Sequence, residues 1–131
     1  MAGAAWGNKI YVINGDAAGG ATILQIYDTT TNSWSTGAGL GAHHEAAAAL
    51  GHDGKVYFFG GVEEAWSNGP YVPRDAVNIY DTATDIWSTG ANMPTPRWYS
   101  TVQRVGNGFH VLGGFFDADG NSTSAHDVFD P

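Results

Sequence analysis

Twelve residues of this chain are written twice. Tyr27-Asp28-Thr29-Thr30-Thr31-Asn32-Ser33-Trp34-Ser35-Thr36-Gly37-Ala38 returns as Tyr80-Asp81-Thr82-Ala83-Thr84-Asp85-Ile86-Trp87-Ser88-Thr89-Gly90-Ala91, with nine of twelve positions unchanged and an offset of 53 residues. A chain that repeats itself on this scale folds as a row of like units, because one unit cannot bury its apolar face alone and needs a neighbour to cover it.

A second landmark repeats beside the first. Tyr11-Val12-Ile13-Asn14-Gly15, Tyr57-Phe58-Phe59-Gly60-Gly61 and His110-Val111-Leu112-Gly113-Gly114 are each an apolar run closed by glycine. From Tyr27 to Gly61 is 34 residues, and from Tyr80 to Gly114 is again 34. A fixed spacing under changing sequence implies a fixed structural path. The stretch from glycine to the next Tyr-Asp varies instead, at 12, 19 and 15 residues if Phe129-Asp130 stands for the third Tyr-Asp. Variable length belongs to surface loops.

β-Branched and aromatic runs bounded by turn residues predict about four short strands per repeat. In the second repeat these are 46–50, 55–59, 76–80 and 86–88, with a turn at His52-Asp53-Gly54. The run His44-Glu45-Ala46-Ala47-Ala48-Ala49-Leu50 has helical propensity, but it is too short to stand as a helix and is fenced by Gly41 and Gly51. Its counterpart Tyr99–Val105 reads as strand, so both are taken as strands. The third repeat supplies 99–105, 109–112 and 125–129 without an outer strand. The first supplies 9–14, 22–27 and 33–36, with only 2–6 left for its inner strand.

Composition narrows the function. Thirteen acidic against five basic residues leave a net charge of −8, which repels nucleic acid. No apolar run is long enough to span a membrane as a helix. The chain has no cysteine, which excludes a disulfide, a thiolate metal site and a cysteine nucleophile. The compartment is not written in these residues.

The order of apolar strand, Gly-Gly, variable loop, Tyr-Asp, Trp and then Met93-Pro94-Thr95-Pro96-Arg97 resembles the kelch repeat, over essentially the whole chain. The first repeat departs from the pattern, with Asn14 for the first glycine and Leu40-Gly41 for Met-Pro. The resemblance implies an all-β fold, a partial kelch-type β-propeller of about two and a half four-stranded antiparallel blades. Blade 1 would be 1–38 with an incomplete inner strand, blade 2 would be 39–91, and blade 3 would be 92–131 without its outer strand. Closed propellers have four to eight blades. Two uncapped ends therefore imply either the remainder of a longer chain or a head-to-tail homo-oligomer.

In such propellers the loop between one blade's outer strand and the next blade's inner strand faces the mouth of the central channel. Equal distances from Trp34 and Trp87 put His44 and Glu45 in one such loop, and Arg97, Trp98 and Tyr99 in the next. Trp66 and Arg74 lie in the long loop 62–75 and complete the expected ligand-binding set. Adjacent residues of a strand point to opposite faces, so His43 and His44 do not make a shared metal site. Asp117-Ala118-Asp119-Gly120-Asn121 reads as a turn and lacks the glycine and glutamate positions of a calcium loop.

Arg97-Trp98-Tyr99 resembles the matching segment of galactose oxidase and glyoxal oxidase relatives, in which the tyrosine ligates copper and is cross-linked to a cysteine. That resemblance would give Tyr99 the ligand position, and the absent cysteine removes the cross-link. The expected function is a binding or scaffolding segment for a protein or carbohydrate ligand, with no cofactor and no metal. The alternative is a fragment of a larger propeller enzyme, oxidase-like or sugar isomerase-like, with its site completed elsewhere. Titrating Cu(II) into the chain should produce neither tyrosyl-radical absorption nor alcohol oxidation. Peroxide production above a Tyr99→Phe control would contradict this.

Overall fold

A computed structural model describes residues 1–14, 22–41, 45–64 and 71–131. The described residues form thirteen strands and no helix. The first sheet runs β1 (Ala2–Trp6), β2 (Lys9–Asn14), β3 (Thr22–Asp28), β4 (Ser33–Leu40), each antiparallel to the next. The second begins with β5 (Ala48–His52) and β6 (Lys55–Phe59). A hairpin of β7 (Val62–Glu64) and β8 (Tyr71–Pro73) intervenes before β9 (Val77–Asp81) and β10 (Ile86–Thr89) complete the order β5-β6-β9-β10. The third is β11 (Thr101–Val105), β12 (Gly108–Leu112) and β13 (His126–Phe129). Three successive blades, the last with three strands among the described residues, make a partial propeller.

Period-2 alternation explains why β6 is apolar at every position after Lys55. Val56 and Phe58 face the first sheet, in a core with Tyr11, Ile13, Leu24, Ile26 and Tyr80. Tyr57 and Phe59 face the third, in a core with Val77, Met93, Phe109 and Val111. The middle sheet is buried on both sides, which an alternating polar strand could not be.

The repeated dodecapeptide builds both a turn and a clamp. Asp81 Oδ1 accepts from the amides of Ala83 and Thr84 at 2.9 and 3.0 Å, and Asp28 Oδ1 accepts likewise from Thr30 and Thr31 at 2.8 and 3.3 Å. The amide of Thr84 leads the groups holding Asp81 below the usual carboxylate range; for Asp28 the Thr30 hydroxyl leads. After the turn, Trp87 Nε1 donates to the Ala38 carbonyl at 2.7 Å, and Asp85 Oδ1 accepts from the Ala38 amide at 2.6 Å. Blade 2 thus grips the outer strand of blade 1 through one residue's two backbone groups. Trp34, the same position one blade earlier, is 61% exposed.

Several expectations shift. The inner strands begin at Ala48 and Thr101, two residues later than expected, because Ala46 and Tyr99 have φ of 52° and 51°, left-handed values that no strand residue adopts. The inner strand of blade 1, expected to be incomplete, is five residues long and pairs with β2 throughout. Strand β4 continues to Leu40, past the expected blade limit at 38. The loop 62–75 contains the β7–β8 hairpin.

Tyr80 is buried, and its hydroxyl donates to Asp85 Oδ1 at 2.7 Å. Desolvation first, and then the Asp85 carboxylate, push its phenol well above the ordinary 10.0. The unfolded chain therefore ionises Tyr80 before the folded one does. Stability is held below pH 10.0 and lost as the pH rises beyond it. Urea midpoints should fall steeply above about pH 10, and less so in Tyr80→Phe. Equal pH slopes in the two proteins would remove Tyr80 from the cause.

Candidate functional site

The two repeats converge at the glycine pairs. Gly60 and Gly61 have φ of 61° and 98°, and Gly113 and Gly114 have 64° and 95°. This path lets the following residue bridge back to the inter-blade loop: Glu45 with Val62 in one repeat, Trp98 with Phe115 in the next. Glu45 and Val62 exchange hydrogen bonds of 3.1 and 2.8 Å, and Trp98 and Phe115 bonds of 3.0 and 2.8 Å. A Cβ on Gly114 would lie 2.5 Å from the Trp98 carbonyl, so side chains are excluded there.

The loops of neighbouring repeats are also tied to one another. The Gly61 amide donates to the Arg97 carbonyl at 2.8 Å, the Arg97 amide to the Arg74 carbonyl at 3.0 Å, and the Tyr99 amide to the Ala46 carbonyl at 2.8 Å. These bonds bring Arg74, Arg97, Trp98, Tyr99 and Glu45 into one neighbourhood at one end of the sheets. Because Ala46 shares the backbone angle of Tyr99, the left-handed conformation belongs to the repeat path and not to any chemistry of tyrosine.

Arg97 does not present itself to a ligand. It is 0% exposed. Its Nη1 donates to the carbonyls of Val111, Gly113 and Ala125 at 3.4, 3.4 and 2.9 Å, its Nε to Thr95 at 3.3 Å, and its Nη2 pairs with the Asp127 carboxylate. Arg97 stands in the expected ligand-binding set, and in the structure its guanidinium fastens the inter-blade loop to the third sheet. A charge so deep is tolerated because every face of its planar fork meets an acceptor.

The two residues after it belong to an aromatic cluster, Trp98 half-buried and Tyr99 facing outward. Trp98 stacks on Tyr71 with centroids 5.4 Å apart and planes at 21°, and contacts Tyr99 at 5.0 Å and Phe115 at 5.3 Å. Its Nε1 donates to the Asp117 carbonyl at 3.3 Å. Tyr99 is 65% exposed, and Tyr71 and Phe116 are exposed as well. Beside them Arg74 pairs with Glu63, while Arg74 Nε has no hydrogen-bond partner among the described residues. Glu45 is half-buried in its bridge to Val62. His44 and Trp66, both expected in the site, lie outside the described residues.

Sequence reasoning left Tyr71 and Phe115 off the candidate set. The available signal for Phe115 was its place directly after Gly113-Gly114, where the strand path must return to Trp98. The Asp117 carboxylate is spent on Asn121, accepting from its amide at 2.8 Å and its Nδ2 at 2.6 Å, and the Asn121 side chain leads the groups holding it below the usual range. For the copper resemblance, the residue bonded to Tyr99 is Ala46, which cannot supply the thioether. The residues present do not fit a cross-linked copper centre.

A blade-by-blade array of antiparallel sheets, joined by Gly-Gly turns and a tryptophan clamp, defines the class of β-propellers. No family model matches the chain. Kelch-like protein 35 of Mus musculus is 26% identical over 125 residues, covering 94% of this chain and 20% of its own. Kelch-like protein terF of Aspergillus terreus is 35% identical over 105 residues, covering 76% of this chain and 23% of its own. The solved structure of YjhT superposes with a TM-score of 0.74 at 22% identity, over 88% of this chain and 34% of its own, and shows the same fold. The chain belongs to the kelch-repeat family. It spans between 9% and 32% of the length of the curated relatives it matches.

Removing the Arg97 guanidinium strands the Asp127 carboxylate and uncovers four carbonyls. Arg97→Met should cost about 3–5 kcal/mol in urea unfolding, the range for breaking a buried pair from one side. A loss under about 1 kcal/mol, typical of an exposed pair, would show that the loop is held by other contacts.

Proposed function

We propose that this chain is a non-catalytic binding and scaffolding segment that holds a protein partner on the aromatic surface of Trp98, Tyr99 and Tyr71, with Arg74 and Glu45 at its margin. The observation that carries the reading is the exposure of Tyr99 on a fixed backbone, since its amide is tied to Ala46 and its neighbour Trp98 is bonded on both sides to Phe115. A large side chain presented without freedom to collapse loses little entropy on contact, and aromatic anchors of this kind dominate interface energies. The net charge of −8 favours a partner surface with basic residues, whose cations suit exposed aromatic faces. Kelch-repeat membership is consistent with a scaffold role, and the oxidase alternative meets Ala46 where its cysteine would stand.

A carbohydrate is the other ligand class expected for such a surface, and the test separates the two. Peptide and glycan arrays probed with the chain should give saturable binders among basic peptides. Tyr99→Ala and Tyr71→Ala should each weaken that binding by more than about 1 kcal/mol while the thermal midpoint stays within about 2 °C. Binding to glycans alone would reassign the ligand class. Equal binding by both variants, or no binder in either array, would overturn the reading.

A further inference from the structure

The two inter-blade loops follow one backbone path and carry different chemistry on it. Glu45 bridges to Val62 as Trp98 bridges to Phe115, and each is followed by a left-handed residue, Ala46 or Tyr99. The Tyr99 amide donates to the Ala46 carbonyl at 2.8 Å, so the two loops lie side by side. At equivalent positions the earlier loop offers a carboxylate and a methyl group, and the later one offers two rings. The loops join the first sheet to the second and the second to the third, so their pairing is internal to the described blades.

Charge is divided between the two ends of the sheets. Lys9, Lys55 and Arg104 adjoin the hairpin turns at 7–8, 53–54 and 106–107. Glu45, Glu63, Asp75, Asp117 and Asp119 lie at the other end, with the inter-blade loops and the Gly-Gly pairs. The two arginines at this end are already engaged, Arg97 buried against Asp127 and Arg74 paired with Glu63. Glu45 has no ion-pair partner among the described residues, and it is only half-buried.

We propose that the partner protein engages this end through an arginine side chain, its guanidinium paired with the Glu45 carboxylate and its plane laid on the Tyr99 ring. The inference rests on the protein-binding reading of the aromatic surface and names the group that the surface selects. Arginine is the side chain that uses both features, since its fork pairs with a carboxylate through two N–H bonds while its flat face packs on an aromatic ring. Lysine brings the charge as a compact ammonium and has no such face. The main-chain bonds at Glu45 and Tyr99 fix the backbone under both side chains before contact, so less freedom is lost on binding.

The probes are two capped glycine-serine peptides, one with a central arginine and one with a central lysine, titrated into the intact chain at low salt and followed by amide and indole chemical shifts. Saturable shifts are expected at Glu45, Ala46, Trp98 and Tyr99, with the arginine peptide bound at least about threefold more tightly than the lysine peptide. Glu45→Gln should weaken the arginine peptide by at least about fivefold and remove its advantage over lysine, as for the loss of a charge-assisted pair. Asp53→Asn makes the same change in net charge at the turn end and should leave binding unaltered. A loss in Tyr99→Ala with none in Glu45→Gln would keep the aromatic surface and overturn the arginine assignment. A loss in Glu45→Gln with none in Tyr99→Ala would overturn the stacked seat and the aromatic reading together. Equal affinity for the two peptides, an equal loss in Asp53→Asn, or no saturable shift with either peptide would also overturn the proposal.

Discussion

At Gly61 and Arg97, two stretches of backbone approach so closely that no side chain fits between them. The Gly61 amide donates to the Arg97 carbonyl, and a Cβ on Gly60 would sit 2.3 Å from that same oxygen. This contact fixes the distance between one blade's second strand and the loop that opens the next blade. With that distance set, Arg97 can reach the carbonyls of the third sheet, Trp98 can bridge to Phe115, and Tyr99 is left pointing outward. The site and the fold are therefore held by one constraint, and the buried guanidinium is its counterweight on the far side of the loop.

The two apolar cores are unequal in kind. Between the first and second sheets, aliphatic residues of blade 1 meet Phe58, Tyr80 and Trp87, and the clamp on Ala38 adds directional bonds at the rim. Between the second and third sheets the packing is dominated by rings, with Phe109 set edge-on to Tyr57 at 4.9 Å and stacked near Phe129 at 6.2 Å. Edge-to-face pairs favour one relative orientation beyond their buried area. Blade 3 is thus seated by ring geometry together with the bonds of Arg97, where blade 1 is seated by its apolar core together with the clamp on Ala38.

Much of the architecture was legible in the sequence, because period-2 burial and turn chemistry act locally. The strands 9–14 and 55–59 followed from β-branched and aromatic runs, the outer strand expected at 86–88 runs one residue further to Thr89, and the turn at His52-Asp53-Gly54 followed from its turn-forming residues. The misplaced starts of β5 and β11 have a different origin. Nothing in Ala46 or Tyr99 signals a left-handed backbone; the conformation is imposed by the bond between them, which joins residues 53 positions apart. The depth at which Arg97 is buried is not written locally for a related reason. Arginine is mostly exposed by composition, and only the arrangement of three distant carbonyls and Asp127 makes its burial tolerable.

The constant span of 34 residues from Tyr-Asp to Gly-Gly takes on a meaning once the sheets are assigned. It starts in β3, crosses β4, and ends just past β6, so it encloses the junction between two blades and not any single blade. The segments free to change length lie inside a blade, between its second and third strands. A duplicated or exchanged unit cut at those variable segments would carry an intact junction with it. Modules of this kind can be added without designing a new interface, and diversity accumulates in loops whose length the packing never measures.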